Sequence, residues 1–119
     1  MLRIRREQID TLRAVARRRF SDDAVVHLRR QFSEAFARTI DSELRDFVER
    51  GVGRARERAI HAAGDVLRYL NLMAVFGPDF DERLPWASAI LEDRSIEEPG
   101  VRMQLLADEG LRRATEERE

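Results

Sequence analysis

Hydrophobic residues recur at intervals of three and four positions through most of this 119-residue chain, which is the spacing of one face of an α-helix. The first such stretch predicts a helix from about residue 5 to residue 20. Ser21, followed by two aspartates, is typical of a helix N-cap and predicts that a second helix begins there. That helix carries Leu28 and Phe32. Whether it continues to Phe36 or breaks near Ser33 is not decided by the pattern.

A third helix is predicted after a polar connection, with Asp41 or Ser42 as its cap and apolar positions that continue to Ile60. Gly51 and Gly53 lie in its middle, where each glycine costs about 1 kcal/mol relative to alanine. Glycine at such a position often allows a second helix to approach closely, and we expect that role here.

The fourth helix, residues 66–76, is apolar nearly all the way round. A helix of this kind is buried on most of its sides, so the pattern predicts that it is the centre of the core. Gly77 and Pro78 end it, because glycine suits the position after a helix and proline cannot continue one.

Two more helices are predicted towards the C-terminus. Pro85 suits the first position of a short helix over residues 86–91, and a final helix covers residues 101–114. The polar loop 79–84 precedes the first of them, and the acidic loop 93–100 precedes the second.

No stretch alternates as a β-strand does, and 119 residues is the size of one domain. The prediction is therefore an all-α fold: a single compact bundle of about five or six helices over residues 1–119. Residues 1–4 and 115–119 are expected to fray.

The composition narrows the chemistry. The chain has no cysteine, which excludes disulfides, a thiolate nucleophile and a cysteine metal site. Its 22 cationic side chains are all arginine and nearly balance 23 acidic ones. Residues 1–60 hold 15 arginines and 10 acids, whereas residues 61–119 hold 7 and 13. We expect this asymmetry to draw the two halves together, although it can also mark a surface for an acidic partner.

No apolar run approaches the roughly 20 residues of a membrane helix, and the basic start of the chain is not followed by the apolar core of a signal peptide. The prediction is a cytoplasmic protein without a membrane segment, and export together with a partner stays open.

Catalytic motifs are missing from the sequence. His27 and His61 lie on different segments with no carboxylate at metal-ligand spacing, and neither a phosphate-binding glycine loop nor a nucleophile elbow is present. We therefore predict no catalytic residue, no cofactor, no metal and no enzymatic activity.

The densest carboxylate group is Asp79, Asp81 and Glu82. Alternate aspartates can begin a calcium loop, but Arg83 stands where a further oxygen ligand is expected, and the required glycine and final glutamate are absent. The interpretation that we prefer is that Asp79 or Asp81 caps backbone amides of the turn. Whether the loop binds anything is left open.

A basic patch is the main signal for nucleic acid, and it comprises Arg13, Arg17, Arg18, Arg19, Arg29 and Arg30. Asp10, Asp22 and Asp23 dilute it, and the pI of the chain is about 6.2. The third helix, which would read DNA in a helix-turn-helix, carries three acids that phosphate would repel. DNA binding is therefore kept as an alternative.

Residues 51–91 contain the strings G-x-x-R-A-R, D-V-x-R-Y-x-x-L-M-x-x-F-G-x-D-F-D and L-P-W-A-x-x-I-L, and the chain opens with I-R-x-E-Q. Together these strings resemble a family of small, largely uncharacterised all-helical bacterial proteins associated with type VI secretion and polymorphic toxin gene clusters. The resemblance covers nearly the whole chain and brings no catalytic residue or cofactor. It implies an accessory protein that acts beside a secreted effector or spike component.

The leading hypothesis is a non-enzymatic adaptor or chaperone for a secreted bacterial toxin, docking through a helix face with apolar residues at the centre and arginines at the rim. The candidate partner-binding residues are Phe80, Trp86, Arg50 and Arg54. The alternatives are an immunity protein that neutralises a cognate toxin and a small DNA-binding regulator.

Overall fold

Six helices account for most of residues 5–117, the part of the chain that the computed structural model describes. They are α1 (Arg6–Gln31), α2 (Asp41–Glu57), α3 (Ala63–Phe76), α4 (Phe80–Arg83), α5 (Pro85–Leu91) and α6 (Pro99–Glu117). No β-strand occurs within these described residues. The all-α prediction is confirmed, as is the number of helices.

Helix α3 occupies the centre of the core, as its apolar pattern predicts. Its side chains at Val66, Tyr69, Leu70, Leu72 and Met73 are buried, and they point to several sides of the helix. Helices α1, α2, α4 and α6 all contact it. Burial of most of its apolar side chains against these neighbours is the main favourable term in folding, whereas a stripe of α3 that includes Arg68 and Val75 is exposed to solvent.

Helix α1 is continuous through Ser21, so the predicted break and N-cap at this residue are wrong. The Ser21 side chain is buried, and its hydroxyl donates a hydrogen bond to Glu49 Oε1 on α2 at 2.7 Å. Neighbouring Asp22 pairs with Arg45 of α2 instead of capping. No glycine or proline interrupts this stretch, and the polar groups that suggested a helix start make contacts with α2.

Phe36 lies outside the second predicted helix, since α1 ends at Gln31 and a turn follows. The Phe36 ring is buried within that turn and packs edge-on against Phe47 of α2, with ring centres 5.3 Å apart. Arg29 stabilises the connection by donating hydrogen bonds to the carbonyls of Phe36 and Thr39, at 3.2 and 2.7 Å, and to Asp41. A buried aromatic ring therefore belongs to a turn here.

Helix α2 begins at Asp41, and its N-cap residue is Ile40, so neither Asp41 nor Ser42 has the predicted capping role. The Glu43 carboxylate accepts a hydrogen bond from the Ile40 backbone N–H at 3.4 Å. The helix ends at Glu57, three residues before the predicted end. Ala59 adopts a left-handed backbone with φ of 60°, which turns the chain and brings Ile60 into the core.

The predicted close approach at a glycine occurs at Gly51 but not at Gly53. A Cβ atom on Gly51 would lie 2.8 Å from Met73 Sδ and still closer to Leu70, both on α3. A Cβ atom on Gly53 would meet nothing within 4 Å. Gly110 of α6 is a second such position, since its Cβ would lie 2.5 Å from Leu72 on α3.

The C-terminal third follows the prediction with shifted bounds. The predicted polar loop contains the short helix α4, and Pro85 is the first residue of α5. Helix α6 begins at Pro99 and continues to Glu117, through part of the tail that is predicted to fray. Residues 1–4 and 118–119, where fraying is also predicted, lie outside the described part of the chain. Within that part, no helix is both long and apolar enough to cross a membrane.

The two glycines of α2 make a matched test of the packing. Gly51→Ala is expected to lower the free energy of unfolding by about 1–3 kcal/mol, because the added methyl group overpacks the contact with α3. Gly53→Ala is expected to raise it by up to about 1 kcal/mol, because alanine favours the helix and its methyl group enters open space. Urea unfolding followed by circular dichroism measures both. A change of the same sign in the two variants would contradict this account of the α2–α3 contact.

Candidate functional site

Asp81 is the most deeply buried charged side chain among the described residues, with 2% of its surface exposed. It lies on α4, and its Oδ2 accepts a hydrogen bond from the Tyr69 hydroxyl of α3 at 2.6 Å. Arg54 of α2 donates from Nη1 to both carboxylate oxygens, at 2.7 and 2.9 Å, and Arg58 Nε lies 4.0 Å away. The carboxylate therefore joins three helices at one end of the core.

The protonation of this cluster follows from its contacts. Burial by itself would raise the pKa of Asp81, but the hydrogen bonds from Tyr69 and Arg54 and the charges of Arg54 and Arg58 outweigh it and lower the pKa. Burial, followed by the hydrogen bond to Asp81, raises the pKa of Tyr69. At neutral pH, Asp81 is therefore an anion and Tyr69 keeps its proton.

The other carboxylates of this loop also face arginines of α2. Asp79 Oδ1 accepts hydrogen bonds from Arg50 at 2.5 Å and Arg54 at 3.2 Å, and Glu82 lies 3.6 Å from Arg54. Neither Asp79 nor Asp81 caps the turn with its side chain, which corrects that prediction, because the backbone carbonyl of Asp79 accepts the turn's N–H groups instead. Arginines of the basic half and acids of the acidic half meet here, in line with the expected attraction.

The structure brings three of the four predicted partner-binding residues, Phe80, Arg50 and Arg54, to this region, whereas Trp86 lies against Phe76 and Arg113. The Phe80 side chain is completely buried against Tyr69, with ring centres 5.1 Å apart, so direct contact with a partner would require the loop to open. Arg50 and Arg54 make the ion pairs just described. Trp86 is half-buried between the edge of Phe76 and the guanidinium of Arg113, which lies 5.2 Å from its ring. Partner contact by these residues stays a prediction.

The histidines take no part in a metal site in the described residues. Where the chain is described, no group of three or more histidine, aspartate or glutamate side chains could hold a metal ion. His27 shares a hydrogen bond with Asn71 at 2.8 Å, which ties α1 to α3, whereas His61 is exposed.

The largest unpartnered element is the N-terminal half of α1, residues 6–19, which we call the α1 extension. Every one of its residues is exposed, and the first buried side chain of α1 is Ser21. The apolar residues Ile9, Leu12 and Val15, which the sequence pattern places on one helix face, do not pack on the core. The sequence spacing that predicts a buried face is therefore not matched by burial over this part of α1.

Two adjoining cavities open where the α1 extension meets α2, and together we call them the α1–α2 cleft. The outer cavity, of about 440 Å³, is lined by Arg13, Ala16, Arg17 and Arg56. The inner cavity, of about 310 Å³, shares three of these residues and adds an apolar and polar lining: Phe20, Ser21, Glu49, Val52, Gly53, His61, Ala63 and Val66. Sequence reasoning included Arg13 and Arg17 in a basic patch but had no signal for Arg56 or His61, which the fold brings to them.

Comparison of the chain with protein-family models finds no matching family, and comparisons with curated proteins and with solved structures find no match either. The resemblance to a secretion-associated family therefore stays a prediction.

The Asp81 cluster has a measurable pH dependence. A carboxylate whose pKa is lowered by folding stabilises the protein above its unfolded pKa, near 4, and this stabilisation is lost as the pH falls through the lowered value. Asp81→Asn is expected to cost about 3 kcal/mol at pH 7, because Arg54 loses a buried partner, and to flatten the decline in stability below pH 4. Urea unfolding from pH 2 to pH 7 measures this.

The matched control is Asp79→Asn, because Asp79 pairs with the same arginine but is half-exposed. It is expected to cost at most about 1 kcal/mol of stability. It should leave unchanged the decline in stability below pH 4 that is due to Asp81. Equal losses in the two variants would show that burial does not set the strength of this cluster.

Proposed function

We propose that this chain is a non-enzymatic, cytoplasmic adaptor or chaperone that binds a secreted bacterial toxin, effector or spike component through a helix face. The observation that carries the proposal is the α1 extension. It is a half-helix that exposes apolar side chains together with arginines, and its Ile9, Leu12 and Val15 do not pack on the core. The resemblance to proteins of secretion and toxin gene clusters supports the class of partner.

The chemistry of the α1 extension defines what would bind it. Ile9, Leu12 and Val15 form an apolar centre, and residues 6–19 hold five arginines against two acids. Apolar anchors surrounded by charge are the usual organisation of a helix that binds in a groove. The complementary surface is therefore an apolar groove or helix of the partner with acidic residues at its rim, which would also speed association at low salt.

The charged cluster around Asp81 supports a structural role better than a catalytic one. A general base works best with a pKa near the working pH, whereas the pKa of Asp81 is lowered and its oxygens are held by Tyr69 and Arg54. Tyr69, with a raised pKa, is a poor nucleophile. These groups hold α2, α3 and α4 together.

DNA binding is the second candidate, because Arg13, Arg17, Arg18 and Arg19 are all exposed on the α1 extension and guanidinium groups bind phosphate. The apolar residues of the same segment have no role in a contact with the DNA backbone. An immunity protein would use the same protein-binding chemistry as an adaptor and differs from it in its effect on the toxin.

The experiment is co-expression of the chain with the products of neighbouring genes, followed by affinity purification. Val15→Asp is expected to reduce the recovered partner about tenfold or more, because it places a charge in the apolar centre of the interface. Val26→Asp is the matched control: it lies on the same helix and is equally exposed, at 56% against 54%, but lies beyond the α1 extension. It is expected to leave recovery unchanged. Circular dichroism should show that both variants keep the native helix content.

Recovery that is equally reduced in both variants, or absence of any co-purifying neighbour, would contradict the proposal. Salt-dependent retention on duplex DNA that is lost on replacing Arg18 and Arg19 with glutamine would favour the DNA-binding candidate. Rescue of cells from a neighbouring toxin, without an increase in toxin level, would favour an immunity protein. Trp86→Ala in the same assay tests the predicted aromatic contact.

A further inference from the structure

Three guanidinium groups line the outer cavity of the α1–α2 cleft. Arg13 and Arg17 lie one turn apart on α1, and Arg56 reaches the same cavity from α2. Among the side chains of residues 5–116, no carboxylate lies within salt-bridge distance of any of the three, whereas Arg45, Arg50 and Arg54 of the same bundle are all paired. Arginine stays protonated in proteins, so this clustering of like charge cannot be relieved by loss of a proton.

The linings of the two cavities include one carboxylate. Glu49 lines the inner cavity, where its Oε1 accepts the hydrogen bond from Ser21. Three guanidinium groups and one carboxylate leave an excess of two positive charges around the cleft. A phosphomonoester carries about 1.5 to 2 negative charges at pH 7 and offers three acceptor oxygens, which matches this excess better than a single carboxylate does.

The inner cavity differs in character because it has an apolar side. Phe20, Val52 and Val66 line it, and Gly53 leaves space, since a Cβ atom there would meet nothing within 4 Å. His61 adds a ring with hydrogen-bonding nitrogens. Volumes of about 310 and 440 Å³ are in the range of small-molecule sites, which is roughly 300 to 1,000 Å³. A ligand that spans both cavities would place its charge on the arginines and its apolar part against Phe20.

We propose that the α1–α2 cleft binds a small phosphomonoester that carries an apolar group, with the phosphate on Arg13, Arg17 and Arg56 and the apolar group in the inner cavity. Bidentate hydrogen bonds from guanidinium groups bind phosphate strongly. The ligand would cross-link the α1 extension to α2 and so hold the extension at one angle to the bundle. This inference does not rest on the proposed adaptor function.

The test is isothermal titration calorimetry of the full chain with phenyl phosphate, inorganic phosphate and 3-phenylpropionate. Phenyl phosphate is expected to bind about tenfold or more tightly than either of the others, because inorganic phosphate lacks the apolar group and 3-phenylpropionate carries only one negative charge. Arg17→Gln and Arg56→Gln are each expected to weaken its binding about tenfold or more. Arg18→Gln, adjacent to Arg17 but lining neither cavity, should change the Kd less than about twofold.

Two further variants separate the cavities without touching the arginines. Glu49→Gln is expected to tighten binding of both phosphates, because it removes the one opposing charge and keeps an acceptor for Ser21. Gly53→Leu should fill the inner cavity, so that phenyl phosphate binds no more tightly than inorganic phosphate. Circular dichroism checks that both variants keep the native helix content.

Three results would overturn the proposal. Equal Kd values for phenyl phosphate and inorganic phosphate would show that the inner cavity takes no part. A loss with Arg18→Gln as large as with Arg17→Gln would show diffuse attraction by the basic helix in place of a site. Binding of 3-phenylpropionate as tight as that of phenyl phosphate would assign the cleft to carboxylates. Co-purification with a protein partner is measured separately and can succeed or fail independently.

Discussion

The need to cover the apolar side chains of helix α3 is the constraint that positions the other helices. A helix with buried residues on several sides is stable in water only if neighbours cover each side, and α1, α2, α4 and α6 do so. Two of these contacts are close because a side chain is missing: Gly51 of α2 receives Leu70 and Met73, and Gly110 of α6 receives Leu72. The positions of α2 and α6 therefore follow from where their glycines meet α3.

Charge completes this arrangement at one end of the core. Asp81 lies beside the buried ring of Phe80, and burial of a carboxylate is costly unless it is paired and hydrogen-bonded. Tyr69 and Arg54 supply those partners from α3 and α2. The apolar contacts bring the helices together, and this cluster favours one arrangement of α4, because Asp81 would lose its partners in another. Here the attraction between the basic and acidic halves is used within the fold.

The α1 extension is the opposite case: among the side chains of residues 5–116, its Ile9, Leu12 and Val15 do not pack on the core and its arginines form no ion pair. Burial of α1 begins at Ser21, and the N-terminal half continues beyond the bundle. Basic charge that balances acids elsewhere is in excess here, both along the extension and in the lining of the cleft. A protein groove for the apolar face and a phosphate for the cleft are two different ways to satisfy these groups. The first uses Ile9, Leu12 and Val15 as its apolar centre, and the second uses Arg13, Arg17 and Arg56.

The sequence alone determined the all-α class, the central place of residues 66–76 and the end of α3 at Gly77, because these depend on local periodicity and on residues that stop helices. It could not determine the continuity of α1 at Ser21, the burial of Phe36 in a turn, or which of two glycines takes a close contact. Each of these depends on a partner distant in the chain, such as Glu49, Phe47 or Leu70. The same limit applies to the cleft. The arginines of the basic patch along α1 can be identified in the sequence. Only the packing of α2 brings Arg56 to them, and only the extent of the core leaves the first half of α1 uncovered.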